Sequence, residues 1–380
     1  VALNSAFPAS KAKRISSNRL KRRALVAGSV LSTLLLLAGC STLKSPSGSA
    51  VPEPDSLAGA ETGVDTAAPE QPRTEPAPKL DQKQHTTART SGVAQVQRLA
   101  LMPTEVRETS GLAQINGHLW TINDSGDDAV IYQLSGDGRR VHKQLYLAGA
   151  RNIDWESLAV DDAYLYIADC GNNRARRAIL TLYKVALDAL SAPDGSRVGY
   201  ETGTFRYGQR LEVRASDSHN FDCEAVTAVE NELWLFSKNR ADGHTDLYRL
   251  DKQAREQAVF PSRSYPVNGL VTAADYDPVS GRLVLLGYSR QRLFGHSFIW
   301  IIPLSKKGDG SNPSPQWSGA QRYRLNTYAQ WEAISWDGPG RLVLSAERSP
   351  LSDTQLAEIR LDAKGEPVAN DADADDPSLW

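Results

Sequence analysis

The sequence predicts an all-β fold, a β-propeller of five blades, preceded by a disordered tether. Three observations carry that expectation. Short alternating apolar runs separated by turn residues dominate residues 95–363, and the 3.6-residue helical period is scarce there. One unit recurs five times: an acid, a short apolar strand, a turn, a second apolar strand, a polar loop and a third strand. The units start at Glu108, Glu156, Glu224, near residue 272 and at Glu332, spaced by 48, 68, 48 and 60 residues. Repeats of that length mark propeller blades, which bury their faces only by packing in a ring. A β-sandwich is the competing fold, but it needs no acid at each repeat start.

The first unit runs from Glu108 through a turn at Asn116-Gly117 to HLWTI, the loop NDSGDD and VIYQL. The second has DWESLAV, YLYIA, the loop DCGNNRARR and ILTLYKV. The third has DCEAVTAV, LWLFS, the loop KNRADGHT and LYRL. The fourth lacks the glutamate and reads VTAADYD, RLVLLG, YSRQRLFG and FIWII. The fifth has WEAISW, RLVLS, the loop AERSPLSD and LAEIRL. Residues 195–213 are read as the outer strand of the second blade plus an insertion; a sixth, degenerate blade is the alternative. Residues 96–102, VQRLALM, are expected to close the ring against the last blade.

The two ends of the chain differ from this body. Residues 1–23 carry seven basic residues and no acid, and residues 24–38 are almost wholly apolar. That stretch is short for a spanning helix, which needs ~20 apolar residues. The order is that of a signal peptide, residues 1–39. Leu37-Ala38-Gly39-Cys40 resembles the lipobox of bacterial lipoproteins, which implies palmitate-type lipid on Cys40 and anchoring of the chain to a membrane. Ser41 in place of Asp implies, by the same resemblance, the outer membrane and its periplasmic face within the cell envelope. The first residue is Val1 and the sole methionine is Met102, so a GTG start or a start further along is expected.

Residues 40–94 form the expected linker: residues 41–94 hold seven prolines and no aromatic residue, too little apolar surface to order the chain. Residues 364–380 read as an acidic disordered tail. The formal charge is −2, but loss of residues 1–40 leaves 36 basic against 45 acidic residues. A net acidic body lacks the basic footprint of nucleic-acid binding. A monomer is expected, with a small molecule or a protein as ligand.

In a propeller the start of each inner strand and the end of each second strand meet at one mouth. Glu108, Glu156, Glu224 and Glu332 are therefore candidate metal ligands, and Asp154, Asp222 and Asp275 candidate bases. The loops add Asn123, Asp124, Asn172, Asn173, Arg174, Lys238, Arg240 and Arg348 as candidate binding residues. So many carboxylates around one channel require a cation, basic partners or protonation. An oxygen-only donor set suits a hard cation such as Ca²⁺; pairing with the loop lysine and arginines is the bland alternative. No HExxH or GxSxG occurs.

NDSGDD, DWESLA, ADCGNNRARR and DCEAVTAV resemble motifs of an uncharacterised family of secreted bacterial β-propellers. The layout is similar to calcium-dependent propellers of the gluconolactonase and paraoxonase type. That resemblance implies a glutamate-based channel site and, as the alternative to a binding module, metal-assisted hydrolysis of a lactone, phosphoester or sugar acid. Cys170 ends a second strand and Cys223 starts the next inner strand, so in an exported compartment they are expected to form a disulfide; two buried thiols are the alternative.

Overall fold

The computed structural model describes residues 90–291, 295–305, 313–349 and 352–368, all within one compact unit. The expected signal peptide, Cys40, most of the linker and the end of the acidic tail lie outside the described residues. The regular structure of the described chain is all strand apart from two short 3-10 turns, and the strands are arranged as five blades.

The inner strands are Thr109–Ile115, Trp155–Val160, Cys223–Val229, Leu270–Asp277 and Trp331–Trp336, in blades I to V. Each packs on the next, and Trp331–Trp336 returns to Thr109–Ile115, so the ring closes with five blades. Gln97–Leu101 supplies the outer strand of blade V against Gln355–Arg360, the closure expected from the sequence. The segment after blade II is its outer strand: Glu201–Tyr207 pairs with Leu180–Ala186.

The blades are also laced to one another. Arg197–Val198 adds a parallel strand to blade I, and Glu256–Val259 adds one to blade II. Thr90–Ala94, expected as linker, instead lies parallel to Gln321–Leu325 in blade IV. Its alternation of residue types is weak, and a strand added in parallel at the blade's edge lies outside the repeat.

Apolar residues fill the spaces between adjacent blades, one cluster per interface. Trp155, Trp234, Trp300 and Trp331 are fully buried in these clusters. The period-2 alternation of each strand therefore buries both faces: one against each neighbouring blade. Gly111 allows blades I and II to approach closely, because a Cβ there would lie 2.7 Å from the Leu158 backbone nitrogen.

Cys170 and Cys223 form a disulfide between blades II and III, with a sequence separation of 53. Loop-closure entropy for a loop of that length is worth ~4 kcal/mol. A Cys170→Ala/Cys223→Ala variant is expected to unfold at clearly lower urea, as read by circular dichroism. An unchanged midpoint would remove the bridge from the list of stabilising contacts.

Every inner strand carries a register slip at its mouth end. The pairing skips Ser110, Glu156, Glu224, Thr272 and Glu332 in turn. Bulges of this kind re-aim a side chain. Where the skipped residue is Ser or Thr, it ties down the next blade: the Ser110 hydroxyl donates to the Trp155 carbonyl (2.6 Å) and the Thr272 hydroxyl to the Trp331 carbonyl (2.7 Å). Glu108 is thus out of register with the other three glutamates. Its equivalents are Asp154 and Asp222, and Ser110 holds the glutamate position. The sequence alignment by acid alone placed it two residues too early.

Candidate functional site in the channel mouth

The inner-strand starts and second-strand ends do meet on one face: Thr109 pairs with Asn123, Trp155 with Asp169, Cys223 with Ser237 and Trp331 with Ala346. The polar residues there divide into two halves of different character.

The first half is acidic and belongs to blades I and II. One carboxylate oxygen from each of Asp124, Asp154 and Glu156 lies within 4.8 Å of the others. Local structure forces this convergence. Asn152 donates to the carbonyls of Asn123 (2.9 Å) and Asp124 (2.8 Å), which pulls the blade I loop over blade II. Asp169 is fully buried, held by Arg177 at 2.7 Å, and accepts the Asp154 backbone N–H. Gly171 then packs under the acids: a Cβ there would meet Glu156 Oε1 at 2.2 Å and Asp154 Oδ2 at 2.4 Å. Gly171→Ala is therefore expected to push the two carboxylates apart and weaken any ligand they share by tenfold or more. Titration of that ligand checks it.

None of these three acids takes part in an ion pair among the described residues. Burial, then the Asp124 charge, pushes the Asp154 carboxyl up to about 7. Glu156 is 7 % exposed and lies well above the usual carboxylate range, first through burial and then through Glu224, Asp124 and Asp154. Glu347, on the blade V loop, is raised to about 7 by burial, Glu332 and Asp124. Gln330 donates to it at 2.7 Å.

The second half is paired. Lys238 Nζ donates to Glu224 Oε2 at 2.9 Å, both side chains being buried. Burial opposes the Lys238 charge, but Glu224, Tyr288 and Glu332 outweigh it and hold the ammonium protonated. Arg240 Nε donates to Asp222 at 2.8 Å, and Asp222 also accepts the Asn172 N–H at 2.9 Å. Arg240 reaches Asn173 Oδ1 as well. Glu332 accepts a hydrogen bond from Tyr288, and burial raises it against the pull of Lys238.

The remaining candidates fall elsewhere. Asp275 sits near the far end of its strand, where it accepts from Trp336 N (2.8 Å), Tyr276 N (2.9 Å) and the Ser335 hydroxyl (3.3 Å). It clamps blades IV and V together and is not at the mouth, because it lies five residues along the strand from its mouth end at Leu270. Asn123 spends its amide on Glu105 O, Asp127 and the Glu108 N–H, and Asn172 on Arg177 and Phe221. Both are loop braces rather than ligand contacts. Arg174 and Arg348 are exposed, Arg174 lying 3.9 Å from Asp217. Glu108 is half-exposed, 3.7 Å from Arg107. The four glutamates thus do not form one ring: Glu156 joins two aspartates, Glu224 joins Lys238, Glu332 joins Tyr288 and Glu108 stands at the rim. Asn152, Gly171, Arg177 and Tyr288 were not singled out as site residues, whereas Glu347 falls among the loop residues that the sequence places at the mouth. The repeat of glycine and asparagine in DCGNN was the available signal for Gly171.

No family model matches this chain, and no curated protein sequence matches it. Among solved structures, the chain is similar to the PQQ-bound aldose sugar dehydrogenase of Streptomyces coelicolor, with 13 % identity and a TM-score of 0.40 over 69 % of this chain and 97 % of that one. It is similar to an exo-1,5-alpha-L-arabinanase from a bovine ruminal metagenomic library, with 15 % identity and a TM-score of 0.43 over 70 % and 96 %. It is also similar to a 6-phosphogluconolactonase-like structure from Bacteroides uniformis, with 11 % identity and a TM-score of 0.34 over 68 % and 69 %. Likeness at that level carries nothing about chemistry, which rests on the chain's own residues.

Proposed function

We propose that the channel mouth binds a hard divalent cation of the Ca²⁺ class at Asp124, Asp154 and Glu156, and through it an oxygen-bearing ligand. Lipid on Cys40 would hold this binding module at the outer membrane. The observation that carries the reading is Glu156: a carboxylate 7 % exposed, beside two more acids, with no cationic partner among the described residues. Three oxygen donors with no imidazole or thiolate suit a hard cation. Three protein ligands leave the remaining positions of a six-to-eight-coordinate ion for water or ligand.

A second reading, metal-assisted hydrolysis, is favoured by Glu347. A carboxyl poised at about 7 beside the acidic half has the proton affinity of a general base at neutral pH. When bound, the cation would polarise a substrate oxygen, and Glu347 would take a proton from water.

The test is calcium titration of the full chain by calorimetry at pH 8, paired with thermal melts. Saturable binding below millimolar, with a raised melting temperature, is expected. No heat and no melting shift up to millimolar calcium or magnesium would end the cation reading.

A further inference from the structure

Blade IV carries a separate electrostatic anomaly. Arg322 and Arg324 lie two residues apart on Gln321–Leu325, so both face the same side of the sheet. The adjoining strand sets Trp300 beside Arg322 and Phe298 beside Arg324. The Arg322 guanidinium lies over the Phe298 ring, 4.4 Å from its centroid. Its Nη2 donates to His296 Nε2 at 3.0 Å. Arginine has no acceptor, so that histidine nitrogen must be unprotonated. Arg322 Nε is buried and finds no acceptor.

Among the described residues, no carboxylate pairs with either arginine. The cluster therefore holds two guanidinium charges with no carboxylate counter-ion among the described residues. Burial and the Arg324 charge press Arg322 below its usual range, and burial with both arginines depresses His296. A partly buried charge left unpaired is costly, and an arriving anion removes that cost. Guanidinium groups match the oxygens of phosphate and carboxylate. Arg324 and Tyr328 are exposed, so the cluster opens to solvent. The Ser289 N–H donates to the His296 carbonyl at 2.8 Å, one residue beyond Tyr288, which puts the cluster on the mouth side of the blade.

We propose that Arg322 and Arg324, braced by His296 and Phe298, form an oxyanion site for a phosphate- or carboxylate-bearing small molecule on the outer rim of blade IV. It lies apart from the acids of blades I and II and stands whether or not a cation binds there.

The probe is inorganic phosphate, titrated into the full chain in a chloride buffer and followed by calorimetry, with acetate as the carboxylate probe. Saturable binding of at least one of them in the millimolar range is expected. Arg324→Gln is exposed and should fold; it is expected to weaken binding tenfold or more. Arg206→Gln removes the same charge from an exposed site on blade II and should leave binding unchanged. Arg322→Gln loses the Phe298 contact, so its melting temperature is read beside its affinity. No saturation with either probe, or equal weakening by Arg206→Gln and Arg324→Gln, overturns the site.

Discussion

Glu156→Gln is expected to do two opposite things at pH 8: raise the stability of the metal-free protein and abolish tight calcium binding. The substitution keeps the shape and removes a buried charge that has no cationic partner. The same logic fixes the pH dependence. Asp154 and Glu347 both titrate at about 7 in the folded protein, against ordinary values of 3.8 and 4.5. Between those limits the folded state holds protons that the unfolded state has released. Their contribution is therefore greatest below about pH 4 and is lost as pH rises through 7. Asp161, whose carboxyl is depressed, works the other way, but only as pH falls below the ordinary carboxylate range.

Calcium should reverse that loss. Deprotonation of both Asp154 and Glu156 must accompany binding, so apparent affinity should rise with pH, by up to about tenfold per pH unit for each proton released. At a hundredfold excess over Kd, binding adds ~2.7 kcal/mol, roughly 5–10 °C in melting temperature for a domain of this size. Melts at pH 5 and pH 8, with calcium and with chelator, read all of this. A Glu156→Gln protein that binds calcium as tightly as the parent would sink the site. One that fails to fold would assign Glu156 a structural role instead.

Lys238→Met is expected to be among the most damaging single changes in the channel. It strips Glu224 of its 2.9 Å partner while leaving the carboxylate buried. Breaking a buried pair from one side costs ~3–5 kcal/mol. The loss should be larger at pH 8 than at pH 5, where Glu224 can take a proton. Adding Glu224→Gln should restore most of the stability, since the buried charge, left with only Arg240 at 3.7 Å, is then gone. Urea denaturation of the two single variants and the double variant measures the coupling. Calcium affinity gives the complementary readout: removal of a nearby cation leaves the acidic half more negative, so binding should hold or tighten. Additive losses in the double variant would mean that the pair is only a packing contact.

How much of this was legible varied with the feature. The blade pattern was, because each strand carries its own period-2 signal and each hairpin its own turn. The closing strand at Gln97–Leu101 was also legible as an apolar run outside the repeats. The lacing strands Thr90–Ala94 and Arg197–Val198 were not, because their partners are remote and their side chains show little pattern. The disulfide followed from the topology, which put Cys170 and Cys223 at one mouth.

The sequence by itself determined that the chain builds a ring of β-blades with its acids gathered at one end, since periodicity and repeat spacing are local properties. Only the tertiary structure decided which acids meet. A one-residue slip at each inner strand turns Glu156 toward Asp124 and Asp154, and Glu224 toward Lys238. The same slip falls on Ser110 in blade I, which leaves Glu108 at the rim. Pairing of charges depends on distances of a few ångströms across blades, and no spacing along the chain encodes them.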